Sequence, residues 1–171
     1  MRVLAIVGIL WTIVSSAHSQ TFEGFVGSLP RVTIPMKFKD DYVTSWQEQA
    51  MPASIFGNSN LDLTKYKAIG VIELPNNFIV LAKSHYNSGL DFQIIGISYS
   101  KTGIFCCSKV LERSSDSEDV DFAVTGANEI RILKAGPATG MITTYILQNN
   151  QFVQQGSKES IEDVDEYTSN N

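Results

Sequence analysis

Cysteine and histidine are nearly absent from this chain of 171 residues, and their scarcity excludes most metal and nucleophile chemistry. The only histidines are His18 and His85, and the only cysteines are the adjacent pair Cys106 and Cys107. A zinc site wants four Cys or His ligands, or three plus a water. One histidine and two neighbouring thiols cannot supply that at any usual spacing. A Ser-His-Asp triad would have to use His85, and no G-x-S-x-G word is present to carry a nucleophile. Neighbours in a strand point to opposite faces. The Cys pair is therefore expected as two small apolar side chains, one facing the core and one facing outward. A vicinal disulfide, which needs a strained ring, and an intermolecular disulfide are the alternatives. In either case two cysteines do not make a disulfide scaffold, so stability must come from a core.

Charge is also sparse. Charged residues are 18% of the chain, with 13 Lys+Arg against 18 Asp+Glu and a net charge of -5. No basic patch or phosphate-binding glycine loop appears, so nucleic acid and anionic lipid are not expected partners. The acidity is uneven. Residues 112–171 hold 11 acids and 4 bases, whereas residues 20–111 hold 7 acids and 8 bases. The acidic final third is expected to keep a strand-rich surface soluble; steering of a cationic partner is the alternative. No Asn-x-Ser/Thr word follows residue 19.

Long apolar runs are missing except at the start. Met1-Arg2 is a short positive lead, Val3 to Val14 is a 12-residue apolar run, and small residues stand at Ala17 and Ser19. Twelve helical residues span roughly 18 Å, short of the about 30 Å bilayer core. Residues 1–19 therefore read as a signal peptide cleaved after Ser19, with export to the periplasm or cell exterior. The membrane is expected to be met only during export. No cysteine ends the apolar run, so a lipoprotein anchor is not expected.

What remains has the size of one domain and the texture of strands. Residues 20–67 read as a loosely structured lead. Within it, 20–28 is loose, Val32 to Lys39 is at best an edge strand because of Pro35, and the one plausible helix lies near Thr44 to Met51, stopped by Pro52. Residues 68–168 read as an antiparallel β domain, followed by a polar tail at 169–171. Strands are expected at 68–74, 78–83, 90–100, 104–112, 120–125, 129–134, 141–148 and 152–155, with turn signals every 8–12 residues or so. The fold class is thus all-β: an antiparallel meander of about 7–9 short strands with one short N-terminal helix. It would form a small barrel, a sandwich or two propeller-blade-like units.

A faint repeat supports the last form. Asn77 to Lys83 (NFIVLAK) matches Asn128 to Lys134 (NEIRILK) at an offset of 51, and Glu118-Asp119-Val120-Asp121 recurs as Glu162-Asp163-Val164-Asp165 at 44. Each copy would be four antiparallel strands. Two such units cannot close a propeller, which takes typically 4–8 blades. Open edges would then need cover, for which residues 29–67 are the candidate.

The remaining motifs have structural explanations. Ser98-Tyr99-Ser100-Lys101 and Lys101-Thr102-Gly103 fit S-x-x-K and K-T-G, but one lysine cannot fill both places in a serine enzyme, so a polar β-turn is expected. Asp116 to Asp121 (DSEDVD) lacks the EF-hand spacing and is expected as a solvated acidic turn, with a loose calcium site as the alternative. His85 is expected as a loop histidine without a role. Trp46, Phe78, Phe92 and Tyr99 are scattered at core spacing rather than grouped as a platform. No catalytic, cofactor-binding or metal-ligating residue is singled out, and no cofactor.

The segments LPRVTIPMKF, KAIGVIELPNNFIVLAKS and FQIIGISYSKTGIF, with the acidic loop and DFAV strand that follow, resemble a group of uncharacterised exported proteins and lipoproteins of Gram-negative, Bacteroidetes-type bacteria. The resemblance spans about residues 29–155. It implies an exported protein and transfers no activity or site residue; the group's usual lipoprotein cysteine is absent here. The reading is a non-catalytic binding or structural module of the envelope or exterior, engaging a protein or envelope component. A small β-barrel holding an apolar ligand in the manner of lipocalins is the alternative, and a hydrolase ranks last.

Overall fold

The computed structural model describes residues 21–38, 46–53, 61–86, 91–114, 119–126, 128–137, 139–162 and 164. Alternation of β-branched and aromatic residues between turn words builds eight strands that run as two meanders. The first comprises β3 (Lys67–Glu73), β4 (Asn77–Tyr86), β5 (Asp91–Ser100) and β6 (Phe105–Ser114). The second comprises β7 (Asp119–Val124), β8 (Glu129–Ala135), β9 (Gly140–Gln148) and β10 (Gln151–Ile161). Within each meander every strand pairs antiparallel with the next, and the sheets stay separate. The protein is therefore all-β, with two sheets and no closed barrel, so the barrel alternative does not form.

The sheets pack face to face. Their shared core takes Ile72, Ile79, Leu81, Phe92, Ile94 and Leu111 from the first sheet and Val120, Phe122, Ile130, Ile132, Leu147 and Phe152 from the second. Strands β4, β5, β7, β8 and β9 contribute alternate residues to this core, as a pleat requires. The proposed repeat maps onto this arrangement. The two matched words fall on β4 and β8, the second strand of each meander. The later copy of the EDVD word follows β10, and its Asp163 and Asp165 lie outside the described residues.

Both sheets have a second apolar face, and both are covered. On the first sheet, Val71, Val80, Ala82, Ile95 and Ile97 pack under Phe25, Val26, Leu29 and Met51. On the second, Leu133, Ala135 and Ile142 pack with Phe38 and Val164. Covered ends suit a two-unit stack that does not continue into a ring.

The cover on the first sheet corrects two sequence expectations. The segment 20–28 is not a loose lead over its described part: Phe22–Ser28 is helix α1, capped by Thr21, whose Oγ1 accepts from the Gly24 N–H at 3.1 Å. Two glycines make this a poor helix by propensity, but Phe22, Phe25, Val26 and Leu29 form one apolar stripe. Docking of that stripe on the sheet outweighs propensity. Gly103, at φ +81°, lets the β5–β6 turn approach the helix; a Cβ there would stand 2.8 Å from Phe22 Cγ. Conversely, the helix expected near Thr44 to Met51 is absent over its described part. Gln49–Ala50 is instead strand β2, paired antiparallel with Lys67 and Ala68 of β3, while Thr44 and Ser45 lie outside the described residues. A short pattern stopped by Pro52 had little helix to gain, and the β3 edge offered backbone partners.

The Pro-containing segment does sit at an edge, in fact at two. Strand β1 (Arg31–Val32) runs parallel to β3, pairing with Val71 and Ile72. A few residues later, past the cis Ile34–Pro35 peptide, Met36 exchanges backbone hydrogen bonds with Val124 of β7 at 2.9 and 2.8 Å. Residues 31–36 therefore strap one sheet to the other and cover both edges on that side.

Candidate functional site

The sheets close tightly on the side away from the strap. There, Phe152 of β10 lies against Gly96 of β5, and the Tyr145 hydroxyl donates to the Leu111 carbonyl at 2.9 Å. On the strap side, β3 and β7 are joined through inserted residues. Trp46 stands between the sheets, its ring 5.8 Å from that of Phe122. Its ring packs over Gly70, where a Cβ would make ordinary contact at 3.7 Å from the Trp46 ring and 3.4 Å from the Pro30 carbonyl oxygen. That oxygen accepts from the Val71 N–H at 2.9 Å, which starts the strap.

This wedge leaves a cleft of about 610 Å³ between the strap, β3 and β7. Its walls are mainly apolar, with Pro30, Val32, Pro35, Trp46, Ile69 and Phe122 contributing. Arg31 and Lys37 add cationic groups and Asp121 an acidic one. Arg31 is held by Glu73 at 2.6 Å, and Lys101 reaches the same carboxylate at 2.9 Å. The Lys101 hydrogen bond, with the nearby Arg31 charge, keeps the Glu73 carboxyl below its ordinary value. Asp121 is buried, and one of its oxygens accepts from the Phe122 N–H at 2.7 Å.

A second polar group lies on the face of β4 shared by Ile79, Leu81 and Lys83. Lys83 is almost wholly buried, with its Nζ 2.9 Å from Glu48 Oε1 and 5.0 Å from the centroid of Phe92. His85 Nε2 meets the same Glu48 oxygen at 2.8 Å. Burial alone would raise the Glu48 carboxyl, but the hydrogen bonds from His85 and Lys83 outweigh it and hold the group below its ordinary value. The Glu48 carboxylate thus neutralises a buried lysine and anchors the residues that lead into β2. His85 was expected in a loop; it lies within β4, which runs on to Tyr86.

The Cys pair and the Lys101-Thr102-Gly103 word lie as expected, whereas Asp119 and the buried Asp121 of the acidic word belong to β7 rather than to a solvated turn. Cys106 and Cys107 are free thiols on β6. Cys107 packs against the shared core, and burial pushes its thiol up. Cys106 sits beside Asn77 and the Ile104 carbonyl. Lys101-Thr102 forms a turn in which Ser100 Oγ accepts from the Ile104 N–H at 3.0 Å, and Lys101 lies 4.0 Å from the centroid of the Phe78 ring. Asp116 and Glu118 lie outside the described residues. Among the described residues no group of three or more His, Cys, Asp or Glu is placed to hold a metal ion. No helix among them is long and apolar enough to cross a membrane.

The cleft was not foreseen from the sequence. Its walls come from residues 30–37, 46–47, 69–70 and 121–122, which no local pattern links. No family model, curated protein or solved structure matches the chain.

Proposed function

We propose that this chain is an exported, non-catalytic binding module that holds a compact, mainly apolar ligand in the wedge between the strap and the edges of β3 and β7. The observation that carries this reading is the cleft itself. At about 610 Å³ it falls within the ordinary range for small-molecule sites, roughly 300–1,000 Å³, and it joins apolar walls to a few polar groups as such sites do. Trp46 supplies flat apolar surface, backed by the buried Phe122, while Arg31 and Lys37 supply charges that orient a polar end. The apolar-ligand alternative therefore keeps a site without needing a barrel. The positive, apolar and small-residue segments of residues 1–19 and the resemblance to exported envelope proteins support an external location.

Strand addition at an open edge is less favoured. Among the described residues β6 pairs only with β5 and β10 only with β9. Both edges are blunted, β6 by two register shifts and the charges of Lys109 and Arg113, β10 by a shift around Gly156 and by Lys158 and Glu159. Such bulges and charges deter pairing with another chain.

The reading is tested with Trp46 as the reporter, in the full chain carrying Trp11→Phe. Titration with 1-anilinonaphthalene-8-sulfonate is expected to change Trp46 emission saturably. Val32→Phe, which puts a ring into the cleft wall, is expected to weaken that binding about tenfold with the fold retained by circular dichroism. Equal binding to both chains would refute the assignment.

A further inference from the structure

At one end of the sandwich the turn between β3 and β4, the turn between β9 and β10 and the start of β8 meet around a smaller cleft of about 320 Å³. Five of its eight lining residues are asparagines: Asn76, Asn77, Asn128, Asn149 and Asn150. Leu74 and Leu147 contribute the apolar wall, and no lining residue carries a charge. We propose that this cleft is a binding site for a neutral saccharide, separate from the wedge beside Trp46.

The proposal rests first on donor chemistry. A primary amide offers two N–H donors and a carbonyl acceptor on one rigid plane. Sugar hydroxyls are themselves both donors and acceptors, so a ring of amides matches them without any charge. An anionic ligand would face no cation here. A hard cation such as calcium is bound through carboxylates as well as carbonyls, and no carboxylate lines the cleft.

It rests second on how the amides are held. Asn77 is half-buried, and its Nδ2 donates towards Ser98 Oγ at 3.3 Å and Asn150 Oδ1 at 3.4 Å. The protein thus fixes Asn77 and ties the two turns together. The side chains of Asn76, Asn128 and Asn149 make no hydrogen bond with any described residue, which leaves their donors and acceptors for a ligand. Asn149 and Asn150 have φ of +50° and +58°, values that suit a tight hairpin turn. That geometry accounts for those two residues as turn formers, and Asn76 likewise stands in the β3–β4 turn, whereas Asn77 and Asn128 stand at or immediately before the starts of strands.

It rests third on the repeat. Asn77 and Asn128 occupy the same position in the two repeat words, at the offset of 51 residues. Face-to-face packing of the sheets brings both to one cleft. Asparagine is disfavoured in strands, yet one opens β4 and the other immediately precedes β8.

The test is nuclear magnetic resonance of the ¹⁵N-labelled full chain, reading the asparagine side-chain NH₂ signals. Glucose, galactose, mannose and N-acetylglucosamine are added separately at millimolar concentration. Saturable movement of the Asn76, Asn128 and Asn149 signals with at least one sugar is expected. Asn128→Ala is expected to weaken that sugar about threefold to tenfold, the effect of losing one or two neutral hydrogen bonds, while backbone dispersion stays unchanged. Asn76→Ala serves as the second variant should the first not fold. No movement with any of the four sugars overturns the proposal. So does a response unaltered by either folded variant, or movement produced instead by calcium chloride or by triglycine. The Trp46 titration reads the other cleft, so the two assignments fail independently.

Discussion

Phe152 fills the space that Gly96 leaves: a Cβ at position 96 would stand 2.9 Å from Phe152 Cζ and 3.1 Å from Leu111 Cδ1. This contact joins β5 of one sheet to β10 of the other and closes the sandwich on the side opposite the strap. Gly96→Val is expected to destabilise the fold by about 1–3 kcal/mol, the usual cost of overpacking a filled core. Urea denaturation of the two chains measures it, and a loss below about 0.5 kcal/mol would show that Phe152 can move aside at little cost.

Glu48 shields the charge of Lys83, whose side chain is 5% exposed against 31% for Glu48. Glu48→Gln removes the carboxylate and leaves a buried ammonium uncompensated. Since Glu48 is partly solvated, the expected cost at neutral pH is about 1–2 kcal/mol. The pH dependence has a definite sign. The folded-state carboxyl lies below its ordinary value, so its contribution is complete above the unfolded value of about 4.3. It is lost as the pH falls through the lowered folded value. The two chains are expected to converge in stability in acid, and an undiminished difference there would contradict the pairing.

Thr143 is fully buried on β9 with no hydrogen-bond partner for its Oγ1 among the described residues. An unsatisfied buried hydroxyl costs free energy that an isosteric methyl does not. Thr143→Val is therefore expected to stabilise the protein by about 1 kcal/mol, helped by the preference of valine for strands. A clear decrease in melting temperature would disprove this.

Cys106 and Cys107 are free thiols, and burial raises the Cys107 thiol and so lowers its thiolate fraction. Under native conditions iodoacetamide is expected to modify Cys106 first, with Cys107 reacting fully only in denaturant. Timed peptide mapping by mass spectrometry follows both sites, and equal native rates would contradict the packing of Cys107 against the core.

The strand pattern was largely legible from residues alone. AIGVIEL, FIVLAK, EIRILK and MITTYILQ alternate or run apolar between Pro, Asn and Gly punctuation, and each became a strand within one to three residues of its expected bounds. Long periodic segments carry their own signal because the pleat repeats every two residues. Strand β10 was underestimated, since the shift between Gln155 and Glu159 interrupts its alternation. The lead was misread because its signals are short. FEGFVGS has only seven residues and two glycines, and Gln49–Ala50 contributes only two residues, so neighbours rather than propensity set both elements.

By itself, then, the sequence determined short strands in antiparallel meanders, because alternation and turn chemistry are local properties. It also set the repeat, the shortage of histidine and cysteine, and the acidic final third. Tertiary structure decided what those meanders became. Covering both apolar faces of each sheet favoured two stacked sheets over a barrel and drew the lead into service as a helix on one face and a strap across two edges. The pairing of Glu48 with Lys83, the wedge beside Trp46 and the meeting of Asn77 with Asn128 arose in the same way. Each joins residues that lie tens of positions apart, and only the burial of a shared core brings them within reach.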